Sequence, residues 1–244
     1  MLILLAENFM KDIFKESRNG MRNEMMRRPI IKPAVLEFLR HKTPPLPGQL
    51  GALEKQAHEK GIPIIPHETV TFMQTLFNLK QPRMVLEIGT AIGFSASLFA
   101  TCMGPTGRVV TIDRYPLMVS RAQQNIKTLG LKKQIKIIAG DAATVLPTLN
   151  LQCDFIFMDS AKAKYLAFLP DCLRLLKTDG VLLIDDIFQG GTILQPENCI
   201  PRRNRAIHRN LNALLEHVFN ATTLSATILP LGDGILMITK QQTD

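Results

Sequence analysis

Residues 85–97 read VLEIGTAIGFSAS, and the parsing of this stretch decides the fold. A mostly apolar run meets Gly89, a second glycine follows at Gly93, and small and apolar residues then continue with helical spacing. A strand that ends in a glycine turn and opens a helix is the junction at which open α/β sheets bind ligands. Two glycines alone are a weak signal, since such turns occur in any βα unit.

Working outward, the same alternation repeats. Apolar runs at RMVLEIG (83–89), RVVTID (108–113), QIKIIAG (134–140), CDFIFMD (153–159) and GVLLIDD (180–186) read as strands. FSASLFATCM, PLMVSRAQQNIKTLG, AATVLPTL and KAKYLAFLPDCLRLLKTDG lie between them with helical periodicity, several closed by glycine. Near-continuous apolar strands separated by helices predict a parallel sheet covered on both faces. After a loop at 187–201, RNRAIHRNLNALLEHVFN predicts a long amphipathic helix. TLSATILPL and GILMITK, joined by GDG, then predict an antiparallel hairpin. Upstream, helical patterns around 33–41 and 68–79 flank the break KTPPLPG, with too few apolar residues for a separate core. Residues 1–82 are therefore read as a helical cap over the sheet, not a separate domain; the domain division places a basic helical extension at 1–47 and the main domain at 48–244.

Composition bounds the function. At 244 residues the chain suits one α/β domain with appendages, and no internal repeat is present. The net charge of +8 points to an anionic partner or simply to a well-solvated surface. Cys102, Cys153, Cys172 and Cys199 are far apart, without zinc spacing, which suits a reducing cytosol. The opening MLILLAENFMKD is too short in its apolar part to span a bilayer and lacks a cleavage pattern, so neither a signal peptide nor a membrane anchor is expected. The first ~20 residues are expected to be loosely held. A cytoplasmic protein with no membrane contact follows; oligomeric state stays open, with a homodimer among the options.

Two ligands compete for the glycine turn, a dinucleotide and S-adenosylmethionine (SAM). The turn is E-x-G-x-x-x-G, not G-x-G-x-x-G, and Glu87 is poorly placed for a pyrophosphate but suits a ligand bearing an ammonium and a sulfonium. Asp113, twenty residues beyond Gly93, ends the second strand, where a carboxylate can accept both ribose hydroxyls. Asp141 either borders an adenine or is an ordinary helix N-cap. Ser95 stands in the first helical turn, where it could donate to a carboxylate. Together these residues describe an adenosine flanked by an amino acid.

The C-terminal ends of the fourth and fifth strands carry acids. If those strands are neighbours, Asp159 and Asp185 lie about 5 Å apart on one edge. With Asp186 they form an all-oxygen set suited to Mg²⁺, with Mn²⁺ or Ca²⁺ as alternatives. Otherwise Asp185 and Asp186 are a turn or N-cap pair.

The ordered set LEIGTAIGFSA, TIDR, GDA, FMDSAKAKY, IDD and PLGDG resembles the metal-dependent class I SAM O-methyltransferases, the catechol and caffeoyl-CoA type. Within that family LEKQAHEKGIPI and the arginine-rich segment after the fifth strand are most similar to bacterial tRNA 5-hydroxyuridine methyltransferases. The resemblance spans roughly residues 48–240 and implies a Rossmann-like, seven-stranded sheet with an antiparallel last strand. It implies a SAM-contacting set of Glu87, Gly89, Thr90, Gly93, Ser95, Asp113, Asp141, Ala142 and Asp159, and metal ligands at Asp159, Asp185 and Asp186. It also makes Lys162 the candidate general base, acting with Asp159. Such relatives usually carry Asn where Asp186 stands, so this chain adds a negative charge or turns that side chain away. Tyr165 either lines the pocket or packs on its helix, and Lys164 is read as a solvated lysine.

PRRNRAIHRN holds Arg202, Arg203, Arg205 and Arg209 without an acid. These arginines are expected to hold tRNA phosphates together with the basic N-terminal residues, among them Arg22, Arg27, Arg28, Lys32, Arg40 and Lys42; the plainer alternative is a solvated helix face, with Arg205 anchoring the loop. With two tyrosines and no tryptophan, the chain has little aromatic surface for stacking bases.

Overall fold

The structure is a computed structural model and describes residues 31–241. The expectation for the first ~20 residues, and Arg22, Arg27 and Arg28, lie outside the described residues. Three helices lead in: α1 (Pro33–Lys42), α2 (Gly48–Glu59) and α3 (His67–Lys80). The chain then alternates β1 (Met84–Ile88), α4 (Phe94–Met103), β2 (Arg108–Asp113), α5 (Pro116–Thr128), β3 (Ile135–Ala139), the short α6 (Ala142–Val145) and β4 (Cys153–Met158). It continues with α7 (Tyr165–Leu175), β5 (Leu176–Ile184), α8 (Arg205–Asn220), β6 (Leu224–Leu229) and β7 (Ile235–Lys240). No helix among the described residues is long and apolar enough to cross a membrane.

One sheet results, in the order β3-β2-β1-β4-β5-β7-β6. Strands β1 to β5 pair in parallel, and β7 runs antiparallel to both β5 and β6. This is the seven-stranded Rossmann-like arrangement with a reversed last strand. The continuous apolar runs follow from it, because both faces are covered. In β4, Phe155 and Phe157 face one core with α2, α3, α4 and α5, while Ile156 and Met158 face the other with α7 and α8. Period-2 alternation puts Val85 and Leu86, or Leu182 and Leu183, on opposite sides in the same way.

Helix α3 belongs to this core. Phe77 stacks on Phe99 at 5.1 Å between ring centroids and meets Phe155 edge-on at 4.9 Å; Phe99 in turn meets Phe157 at 5.5 Å. Such pairs add about 0.5–1.5 kcal/mol each beyond their buried area. The cap therefore shares the sheet's core, at least through α2 and α3, whereas α1 buries only Leu36.

Three details differ from the sequence reading. Helix α2 was not foreseen, although Leu50, Leu53, Glu54 and Ala57 carry its inward face; prolines on either side obscured the pattern. Strand β5 starts at Leu176, opposite Cys153, and the next pair is Phe155 with Val181, so Lys177–Gly180 bulge out instead of closing α7 with a glycine. The β6–β7 connection spans 230–234, longer than the three-residue turn that GDG suggests.

Candidate active site

The order β3-β2-β1 on one side and β4-β5 on the other makes β1 and β4 the pair at which the winding reverses. A crevice opens there beyond the carboxyl ends of the strands. The Gly89 amide donates to the Ile112 carbonyl at 2.9 Å, continuing the sheet by one residue. Gly89 has φ 109°, and a Cβ placed on it would lie 1.8 Å from the Asp159 carbonyl oxygen. Only glycine lets the first turn press against the end of β4. Gly93, at φ 78°, starts α4 and packs near Ala122.

The crevice is a cavity of about 370 Å³, of the size that takes small ligands and cofactors. Gly89, Ala91, Asp113, Gly140, Asp141, Ala142 and Asp159 line it from four strand ends, and Ile62, Pro63, Met118 and Phe168 supply apolar walls. Asp113 is 9% exposed and held at both oxygens, with Ala91 N donating to Oδ2 and Tyr115 N to Oδ1, each at 2.9 Å. Its carboxylate keeps acceptor capacity toward the cavity. Asp141 is the N-cap of α6, accepting from the Ala143 amide at 2.9 Å, and it also pairs with Arg114 at 3.3 Å. That backbone bond holds its carboxyl below the usual range, with Arg114 assisting. Asp141 is thus a helix N-cap that also lines the cavity.

Glu87, Thr90, Gly93 and Ser95 do not line the cavity. The strand pleat turns Glu87 to the face of Val85, toward α4 and away from the crevice. There it accepts from Ser95 Oγ and Thr111 Oγ1, both at 2.5 Å, and Thr111 meets Thr90 Oγ1 at 2.6 Å. Ser95 Oγ thus donates to Glu87, and Glu87 supports the glycine turn from beneath. Thr111 was missed because its link to Glu87 depends on the β1–β2 register.

Burial pushes the Glu87 carboxyl from 4.5 up to about 8; the two hydroxyl donors oppose the shift, and Asp159 and Asp113 add to it. A raised folded-state pKa means the native protein holds a proton that the unfolded chain releases. Stability from this group is complete below about pH 4.5 and declines as pH rises to about 8. Glu87→Gln is expected to flatten that decline, as read by urea midpoints from pH 5 to 9; parallel curves for both proteins would refute it.

At the other side of the crevice, Asp159 N donates to Ile88 O and Asp185 N to Met158 O, each at 2.9 Å. These bonds extend the β1–β4–β5 ladder and set Asp159 and Asp185 at adjacent strand ends. Asp185 is 3% exposed, and its Oδ1 accepts the Asp186 amide at 2.7 Å. Burial holds its carboxyl well above the carboxylate range, and the charges of Asp159 and Asp186 push the same way. Asp186 has φ 59°, and its Oδ2 takes Lys162 Nζ at 2.5 Å. Among the described residues no group of three His, Cys, Asp or Glu side chains is arranged to hold a metal ion. Of the three carboxylates, Asp159 and Asp185 stand at adjacent strand ends, while the Asp186 carboxylate pairs with the Lys162 ammonium. Lys162 sits in a short 3₁₀ turn, Lys162–Lys164, on this same edge. A salt bridge needs the ammonium and a general base needs the amine, so base action by Lys162 requires this bond to open.

Lys164, expected to be solvated, lines the cavity, as do Arg114, Tyr115 and Ser160, which the motifs did not single out. Tyr165 is buried in the core, its hydroxyl accepting from Ser160 N at 3.1 Å.

Of the four arginines, Arg205 donates to the Ile200 carbonyl at 2.9 Å and anchors the loop, while Arg209 pairs with Glu197 at 2.6 Å. Arg202 and Arg203 are exposed. Helix α8, which they precede, is tied to the Lys162 turn by Asn210 Nδ2 donating to the Ala163 carbonyl at 3.0 Å.

Residues 49–241 match a family described as O-methyltransferase. A catechol O-methyltransferase of Niastella koreensis is 32% identical over 178 residues, 70% of this chain and 78% of that protein. One of Mycobacterium tuberculosis is 36% identical over 124 residues, 50% of this chain and 56% of that protein. Among solved structures, the S-adenosylhomocysteine-bound methyltransferase PaMTH1 of Podospora anserina superposes with a TM-score of 0.77 at 22% identity, covering 86% of this chain and 94% of that one. That last likeness concerns the fold.

Proposed function

We propose that this chain, which belongs to the O-methyltransferase family, transfers the methyl group of SAM to one of two vicinal oxygens, and that its acceptor is the wobble 5-hydroxyuridine of tRNA. SAM-dependent O-methyl transfer is the family's reaction, and the cavity at the β1–β4 junction is where the donor would lie. The observation that carries the reading is the meeting of that cavity with Asp159 and Asp185 at neighbouring strand ends.

The donor chemistry there fits a hard divalent cation. Asp185 is a buried carboxyl whose charged form is opposed by burial and by Asp159 and Asp186, against which the Asp186 amide and the Lys162 charge work. Asp159 and Asp185 would hold Mg²⁺, or Mn²⁺ or Ca²⁺, with Asp186 recruited only if it leaves Lys162. Such an ion, when bound, would draw together two vicinal acceptor oxygens and make the hydroxyl more acidic. The chain's own part is orientation and proton removal. Asp113 would hold the ribose hydroxyls, and Lys162, freed from Asp186, would take the acceptor proton. SAM, when bound, would supply the methyl group to that oxygen and depart as S-adenosylhomocysteine.

Catechols and 5-hydroxyuridine both present vicinal oxygens, so the acceptor is argued from charge. Arg202 and Arg203 are exposed beside a helix bonded to the Lys162 turn, which favours a polyanion. The named catechol relatives favour a small phenol as the second reading. The test is transfer from labelled SAM into tRNA from cells lacking this protein, run beside a catechol panel. Label in 5-methoxyuridine is expected; label in catechols alone would reject tRNA. Removing both arginines (Arg202→Ala with Arg203→Ala) is expected to flatten the dependence of log tRNA affinity on log salt by about 1.4–1.8, at ~0.7–0.9 per phosphate contact. Binding of S-adenosylhomocysteine should not change.

A further inference from the structure

We infer that Asp233, in the 230–234 connection between β6 and β7, is a positioning residue for the acceptor side of the site, acting through the loop at 186–191. It is 1% exposed, yet it lies far in sequence from every residue of the cavity. Its two carboxylate oxygens both accept the Gly190 amide, at 2.7 and 3.0 Å. Its own carbonyl accepts Phe188 N at 2.9 Å, and the next carbonyl, of Gly234, accepts Ile187 N at 3.1 Å. Three amides of one loop thus end on two residues of another.

Packing reinforces the clamp. Gly234 has φ 88°, and a Cβ there would lie 2.1 Å from the Phe188 ring; Gly232, at φ 57°, abuts Pro66 at the start of α3. The 230–234 connection is wedged between the core and the 186–191 loop, so the loop cannot shift without displacing it. The clamped loop contains two non-glycine residues in the left-handed region, Asp186 at φ 59° and Gln189 at φ 52°. Such backbone costs about 1–3 kcal/mol per residue and persists only where surrounding contacts over-determine it. Gln189 Nε2 donates to the Asp186 carbonyl at 3.2 Å, so the same contacts that fix Gln189 fix the reversal that aims Asp186 at Lys162. A buried carboxylate gripping a backbone amide is a charge-assisted bond, stronger than a neutral one. Asp233 therefore sets the conformation of the loop that presents Asp186, while the SAM cavity is built from other strand ends.

The kinetic consequence rests on the reading under Proposed function; the clamp itself does not. The experiment compares wild type with Asp233→Ala and Asp233→Asn, the latter keeping a neutral acceptor for Gly190. Asp154→Ala serves as a control, since Asp154 accepts the Arg83 and Met84 amides at 2.9 and 2.8 Å at the opposite ends of the strands. Amide hydrogen exchange is read first. Asp233→Ala is expected to lose protection at Ile187, Phe188 and Gly190 while the amides of Gly89 and Gly93 keep theirs; unchanged protection at Gly190 would overturn the clamp. Methyl transfer is then read with whichever of tRNA or dihydroxybenzoate the wild type methylates. Asp233→Ala should raise the acceptor KM about tenfold or more, the worth of one charge-assisted bond, with Asp233→Asn in between. The dissociation constant of S-adenosylhomocysteine should stay within about twofold, and Asp154→Ala should leave KM unmoved. A KM that does not move, or moves equally in the control, would overturn the positioning role. A wild type inactive on both acceptors would reject the proposed function and leave the exchange result to decide the clamp.

Discussion

Asp185→Asn is expected to lower methyl transfer on the order of 10²- to 10³-fold, the range seen when a group stabilising transition-state charge is removed, without destabilising the ligand-free protein. The two halves of that result come from one fact. Asp185 is almost fully buried beside Asp159 and Asp186, and burial with like-charge neighbours works against its charged form. Asparagine is nearly isosteric and keeps an Oδ1 to accept the Asp186 amide, so packing and the local turn survive. What it removes is a group whose charged form is costly until a cation answers it. Thermal unfolding in chelator should give a Tm equal to or above that of the wild type. Adding MgCl₂ should raise the wild-type Tm and leave that of the variant unmoved, because ligand binding stabilises by mass action only where a site exists. A variant that keeps full activity, or that unfolds well below the wild type in chelator, would show that Asp185 is a structural acid.

Gly89→Ala is expected to be the most damaging single-methyl change in the site. A Cβ there would fall 1.8 Å from the Asp159 carbonyl oxygen, on a backbone with φ 109° that L residues rarely adopt. Backbone strain and overpacking each cost about 1–3 kcal/mol. For a chain of this size each kcal/mol lowers Tm by about 2–4 °C, so a loss of roughly 10 °C is anticipated. Relief can come only by moving β1's turn away from Asp159, which displaces the cavity wall that Gly89 and Asp159 share. Binding of S-adenosylhomocysteine should weaken with stability. Gly130→Ala is the comparison: Gly130 has φ 72° but open space around it, so only the conformational cost of about 1–2 kcal/mol applies. Equal effects at the two positions would mean that the contact between Gly89 and Asp159 is unimportant.

Much of the fold was legible along the chain because its signals are short-range. VLEIGTAIGFSAS marks a strand, a glycine turn and a helix with residues that touch one another locally. The apolar runs at 108–113 and 153–159 are strands by the same logic, and helix α4 occupies the ten residues of FSASLFATCM. Asp113, Asp141 and Asp159 stand at strand ends, where the end of an apolar run is itself the signal. The residues that would hold the donor's ribose and the cation's carboxylates were thus visible as chemistry at the tips of strands.

What only the tertiary structure decided is which of these groups face each other. Glu87 turns to Thr111 and Ser95 beneath the turn, Asp186 turns to Lys162, and Asp233 grips Gly190 across 43 positions of sequence. None of these pairings has a local signature. Each depends on sheet order and on strand register, which are settled by burying both faces of the sheet at once. Local propensity determined the strands, the turns and the acids at their ends; non-local packing determined where Glu87, Asp186 and Asp233 point.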